Sequence, residues 1–343
     1  GLRLRVGAGD VELAGSVELR PGQSPLVDAG ARVAAMPLQA VKPFWPLNRI
    51  PNTAAFLNRA LTAGDLAGGR VWLRGPVDRF PFAGQEGRLD ASASVRGTGL
   101  AYHPDWPALS GIEADLQFEN LVLEIQGRRA QVMGLRLARA SARVDNLREA
   151  VFRIQAQGQG SGEDLMAVLR ATPVQGLYGG QIAGMALSGQ PRVELDVTVP
   201  SKPELGRTEV DGRILFGGGE RFTDSDRGLA FGDLRGSLAF TRDGLATTEL
   251  GLSLAGEPAT LALRIGSPTV DPDAAVEAEL DGRVSASALF SSVPGLAPLL
   301  TTARGRADWR VRLHVPDQGE GWLRAESDLR GIALRLPAPL AKD

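Results

Sequence analysis

His103 and His314 are the only imidazoles in this 343-residue chain, and it has no cysteine. The two histidines stand about 200 residues apart, and neither forms a helical pair or sits beside a carboxylate at ligand spacing, so no metal site is expected. The missing thiols exclude disulfides, cysteine nucleophiles and cysteine metal sites. His103 falls in a turn before Pro104 and His314 on the charged side of an alternating run; both read as solvated. Paired carboxylates hydrolyse glycosides, but Glu113, Asp115 and Glu119 share one polar strand face with no clustered aromatics to stack a sugar. Gly158-Gln159-Gly160-Ser161-Gly162 has the look of a phosphate loop entering a helix. Glu163 and Asp164 in the first turn would repel an anion and no lysine follows, so a capped loop is expected instead. With no Gly-x-Ser-x-Gly elbow either, the expectation is a chain with no catalytic residue, no metal and no cofactor.

The charges exclude another class of partner. Thirty-eight basic and 40 acidic residues leave a net charge of −2, without a basic block able to neutralise a run of phosphates, so nucleic acid is not an expected partner. No stretch reaches the roughly 20 apolar residues that span a bilayer. The chain starts at Gly1 without methionine and ends just after a proline-rich motif, which suggests a piece of a longer protein whose targeting segment lies upstream.

The elements are announced by alternation. From Arg304 to Val315, the residues Gly305, Ala307, Trp309, Val311, Leu313 and Val315 alternate with Arg304, Arg306, Asp308, Arg310, Arg312 and His314, placing the two sets on opposite faces of a strand. At roughly 3.3 Å per residue the run reaches about 40 Å, long for a globular strand. Similar runs occupy Ile112–Glu119, Val193–Val199 and Val276–Asp281. One wet face in each points to antiparallel pairing, with Asn120 and Asp243-Gly244 as hairpin turns. The 43 glycines punctuate these runs as turns and bulges.

Helical patches interrupt the strands. The first covers about Asn52 to Ala63, and the second covers Ser161 to Ala171, with a capping box at Ser161 and Asp164 and closure at Pro173. A weaker third covers about Ser285 to Leu300. Their spacing of roughly 110 to 120 residues suggests diverged repeat units at 45–160, 161–284 and 285–343, the last incomplete.

The apolar faces leave two readings open. Such faces form closed sandwich or barrel cores; alternatively, a single curled sheet without a second layer leaves an aliphatic trough, and exposed apolar area of that size binds something. Acyl chains suit it, since their burial stabilises by roughly 0.8 kcal/mol per methylene without directional bonds.

Three short stretches, Phe80-Pro81-Phe82, Tyr102-His103-Pro104-Asp105-Trp106-Pro107 leading into the hairpin at 111–125, and Ser327-Asp328-Leu329-Arg330-Gly331 running to Leu336-Pro337-Ala338-Pro339-Leu340-Ala341-Lys342, carry a resemblance in their order and spacing. The chain resembles the YhdP-type branch of the AsmA-like proteins, large envelope proteins anchored in the inner membrane of Gram-negative bacteria. It departs from that pattern in lacking the family's N-terminal membrane helix, in its short length, and in having Ala341 where glycine is common. The resemblance implies a long curved β-sheet with an apolar groove, related to the repeating β-groove lipid-transfer proteins, through which phospholipid crosses the periplasm. It implies a periplasmic location, with the inner-membrane anchor supplied by a segment outside this chain, and it carries over no catalytic residue. Tyr102, Trp106 and Pro107 resemble a turn fixing strand entry, and Pro337 and Pro339 a strand end.

The expected fold is therefore mainly β: an elongated, twisted, mostly antiparallel sheet forming a groove, with a few short helices. Alternation selects Leu116, Phe118, Leu195, Val197, Leu261, Leu263, Ile265, Trp309, Val311 and Leu313 as groove-lining candidates, opposite the charges. The alternative is a structural or assembly module of the envelope whose exposed strand edges bind partner proteins by β-augmentation.

Overall fold

Alternating residues pair as antiparallel strands. The computed structural model describes residues 2–6, 9–44, 51–84, 86–149, 151–172, 183–200, 202–292 and 303–335. The chain forms two compact units, residues 1–158 with 195–209 and residues 159–194 with 210–343.

In the first unit the strands are β1 (Leu2–Val6), β2 (Gly9–Glu18), β3 (Leu26–Val33), β4 (Met36–Pro37), β5 (Leu61–Pro76), β6 (Arg88–Leu100), β7 (Leu109–Glu119), β8 (Val122–Val132), β9 (Leu135–Val144) and β10 (Val151–Gln159). β11 (Met185–Ser188) belongs to the second unit, and most of β12 (Arg192–Pro200) returns to the first. β1, β2, β3, β5, β6, β7, β8 and β9 pair in that order, all antiparallel, with β4 against the start of β5 and β10 between β9 and β12. The β7–β8 turn is held by Asn120, which takes a positive φ of 51°. Its side-chain oxygen accepts from the Leu89 N–H at 2.8 Å while its own N–H donates to the Leu89 carbonyl at 2.9 Å. One turn residue thereby pins the start of the neighbouring strand.

Two helices accompany this sheet, α1 (Leu38–Val41) and α2 (Pro51–Ala60). The helix expected as far as Ala63 stops three residues earlier. Leu61 instead pairs with Leu100, and the Ala101 N–H donates to the Ala60 carbonyl at 2.8 Å. Strand pairing overrides local helix propensity here, and Gly64, at φ 111°, supplies a bulged backbone that a side chain would strain.

The second unit begins with α3 (Gly162–Arg170), where Ser161 and Asp164 make the expected capping box. β11 pairs with β13 (Glu209–Asp224). A meander follows through β14 (Leu229–Thr241), β15 (Gly244–Leu254), β16 (Glu257–Gly266), β17 (Ala274–Ser285), β18 (Ala303–Pro316) and β19 (Trp322–Ser327), each antiparallel to the one before. β20 (Ile332–Leu334) pairs with the start of β18. Of the third expected helix, α4 spans Ala286–Ser292; its continuation toward Leu300 lies outside the described residues, as do Pro173, Pro337 and Pro339. Among the described residues no helix is long and apolar enough to cross a membrane.

Candidate functional site

The strand registers assemble apolar side chains into rows that run across strands. In the first unit one row joins Leu2, Leu13, Ala31, Val71, Ala91, Phe118, Leu123 and Val144. The next joins Val11, Val33, Gly69, Ala93, Leu116, Ile125 and Ala142. Burial grades along the first row: Val144 is 1% exposed and Leu2 57%. At the buried side Leu123, Val144 and Leu147 form a cluster with Leu116, Phe118, Ile125 and Phe152. A second cluster sets Met36 and Leu38, from β4 and α1, against Leu66, Val33, Ala93 and Val95. Between these covers, Ala31, Val71 and Ala91 are half-buried.

The second unit repeats the arrangement. Phe240, Leu245, Ile265, Val276 and Val315 form one row, Leu263, Ala278, Leu313 and Leu323 the next, and Leu250, Leu261, Leu280, Val311 and Ala325 a third. α4 covers one end, where Leu289 and Phe290 are buried with Val284 and Ala307, and the Phe290 ring meets Trp309 edge-on at 5.6 Å. Away from α4 the face opens, to 36% exposure at Val315 and 37% at Leu323.

Of the candidates drawn from alternation, Leu116 and Phe118 sit side by side on the first unit's face. Leu261, Leu263, Ile265, Val311, Leu313 and Trp309 gather on the second. Leu261, Leu263, Ile265 and Leu313 are half-buried, whereas Trp309 and Val311 are buried. Leu195 and Val197 are half-buried on β12, flanking Asp196, which accepts from Gln155 Nε2 at 2.9 Å. Sequence reasoning missed Val71 and Leu73, because Gly68, Gly69 and a bulge between Leu66 and Gly68 break the alternation of β5.

The opposite faces carry ion pairs. Glu279 meets Arg312 at 2.6 Å and Asp281 meets Arg310 at 2.7 Å, and the Arg312 guanidinium holds the Glu279 carboxyl below the usual range. In the first unit Glu124 pairs with Arg143 and Asp115 with Arg128. These pairs are solvent-exposed and contribute little stability each; they mark which face stays wet. A shallow depression of about 950 Å³ is bordered by Glu12, Arg32, Arg70, Ser92, Gln117 and Glu124, with Val33, Ala93 and Leu116 also lining it. His314 is less solvated than its charged strand face suggested: Trp322 stacks on its ring at 5.5 Å and its Nε2 lies 3.2 Å from Asp271.

Phe80–Phe82 and Tyr102–Pro107, two of the family-like stretches, occupy turns and connections, and the end of the third, 336–342, lies outside the described residues. Phe82 is buried with its ring edge-on to Phe80 and, together with Pro81, fills the corner after β5, close over Gly75 and Gly87. Tyr102, Trp106 and Pro107 are half-buried in the β6–β7 connection. The Trp106 N–H donates to the His103 carbonyl at 3.4 Å, and burial pushes the Tyr102 phenol up.

The family profile described as YhdP protein matches residues 2–343. The chain is similar to the intermembrane phospholipid transporter YhdP of Escherichia coli (strain K12), 23% identical over 292 residues, covering 84% of this chain and 22% of that protein. The chain thus spans about a fifth of the length of the curated relative it matches. No solved structure matches it. A family match over nearly its whole length establishes that this chain belongs to the YhdP family.

Proposed function

We propose that this chain is a non-catalytic, lipid-binding segment of a periplasmic bridge that moves phospholipid between the inner and outer membranes, with the apolar sheet faces cradling the acyl chains. The observation that carries this reading is the set of apolar rows continuing from strand to strand, half-buried away from the helices that cover their ends. A row of aliphatic side chains offers contact without directional bonds, so each methylene laid on it gains roughly 0.8 kcal/mol at full burial while the chain remains free to slide. That the Escherichia coli relative is an intermembrane phospholipid transporter supports phospholipid as the cargo. The inner-membrane anchor belongs to a segment outside this chain, and the repeat units at 45–160, 161–284 and 285–343 remain part of this reading, each offering an apolar face of its own.

The second reading, an assembly module that binds envelope proteins by strand addition, draws on β1, which pairs with β2 on one side among the described residues.

Photocrosslinking separates the two. A benzophenone side chain at Leu263, Ile265 or Val71 is expected to capture phospholipid in cells, and the same probe at Arg264 or Arg70 on the wet face is expected not to. Equal lipid labelling on both faces, or protein adducts alone, would sink the lipid reading.

A further inference from the structure

The apolar face of the second unit holds one donor with nothing to donate to. The indole Nε1 of Trp309 is buried and, among the described residues, has no hydrogen-bond partner, in a side chain whose residue is only 8% exposed. Its cross-strand neighbours are Gly282 and Ser327. Gly282 has no side chain to offer, and the Ser327 hydroxyl, which accepts from the Leu329 N–H at 3.0 Å, makes no hydrogen bond to the indole. Phe290 covers the ring, and Val284, Ala307 and Leu289 are buried nearby on the same end of the face. A buried donor without an acceptor is a destabilising arrangement.

The chemistry of the missing acceptor is narrowly defined. An indole N–H only donates, so the partner must bring a lone pair. A phosphate or a free carboxylate would bring a charge that these apolar surroundings penalise. A neutral carbonyl attached to hydrocarbon fits, and a glycerolipid carries one at the head of each ester-linked acyl chain. From Trp309, buried beside α4, the strand runs about 20 Å to the exposed Val315, against the roughly 15 Å that an acyl chain occupies in one leaflet.

We propose that Trp309 Nε1 donates a hydrogen bond to an ester carbonyl of a diacyl lipid. This contact holds the glycerol end of the lipid beside α4 while an acyl chain lies along Val311, Leu313, Leu263 and Ile265. The ester displaces the Phe290 ring edge to reach the indole. Trp309 becomes a positioning and specificity residue that discriminates ester-linked from ether-linked chains. The assignment rests on the lipid reading above, and its test keeps the two apart.

The full chain is titrated with a diester phosphatidylglycerol and with its diether analogue of equal chain length, using native mass spectrometry. The diester should bind about fivefold tighter, equivalent to about 1 kcal/mol for one net hydrogen bond. Trp309→Phe, which keeps an aromatic ring and removes the donor, should erase that preference by weakening the diester alone. Equal affinity of the wild-type chain for both lipids overturns the assignment without any variant, and so does an equal loss for both in Trp309→Phe. Those outcomes leave the lipid reading standing. Binding of neither lipid by the folded chain overturns the lipid reading and this assignment together.

Discussion

Single residues decide where strands begin and which way their side chains face. Ser161 is one such residue. Its hydroxyl accepts from the Asp164 N–H at 3.1 Å while the Asp164 carboxylate accepts from the Ser161 N–H at 3.1 Å, satisfying two orphan donors at the start of α3. Ser161→Ala is expected to destabilise the fold by about 1 kcal/mol, read as a lower urea midpoint with unchanged slope. This cap was legible because its partners lie three residues apart. Phe82 shows the opposite case. Its burial at 1% exposure comes from two glycines, Gly75 and Gly87, that bring backbone to its ring, a contact invisible to local spacing. Phe82→Ala should cost about 3–5 kcal/mol, the range for emptying an aromatic core site; a cost within a few tenths would show that the corner is not a packed core.

Elements add covering and register to these local choices. Arg304 to Val315 displayed its strand in sequence because no bulge interrupts it, and burial follows its alternation from Ala307 to Val311. The opening turns of β5 hid theirs. Bulges near Ala63 and between Leu66 and Gly68 shift the phase of the alternation, and pairing with β6 converts the end of an expected helix into strand. α1 escaped notice because four residues carry too little periodicity; tertiary contact with Leu66 holds it. Ser285, whose hydroxyl accepts from the Ala288 N–H at the start of α4, is itself held by the Glu257 carboxylate. Burial pushes the Glu257 carboxyl up, but the Ser285 N–H and the Arg306 guanidinium beside it outweigh burial and hold it below the usual range. A depressed carboxyl contributes stability above its ordinary pKa and loses it as the pH falls through the folded value. Acidification should therefore lower the amide-exchange protection factors of Ala286–Ser292, taken against the unstructured-chain rate at each pH, before it unfolds the sheet. In Glu257→Gln those protection factors should already be low at neutral pH, with their pH dependence flattened. Acid-insensitive protection factors in the wild-type helix would contradict that role.

For the molecule as a whole, the question is what lies on the apolar faces. The antiparallel β architecture was legible because period-two alternation survives in most strands. The extent of cover over each face was not legible, since it depends on where α1 and α4 dock. The partial cover explains why Trp309 and Val311 are buried while Leu263, Ile265 and Leu313, selected by the same alternation, are half-buried. Leu263→Glu and Ile265→Glu, which put a charge on the half-buried part, are expected to lower lipid occupancy at least tenfold, since moving a carboxylate onto an apolar surface costs more than the 1.4 kcal/mol that tenfold represents; circular dichroism should remain that of the parent sheet. Charge placed instead on the outer edge of β1 should leave lipid occupancy unchanged. The most direct test is mass spectrometry of lipids extracted from the purified chain, beside an equally prepared β-protein with a closed core. The account predicts phospholipid enriched in stoichiometric amount over that control; a folded, monodisperse sample with no lipid above the control would contradict it.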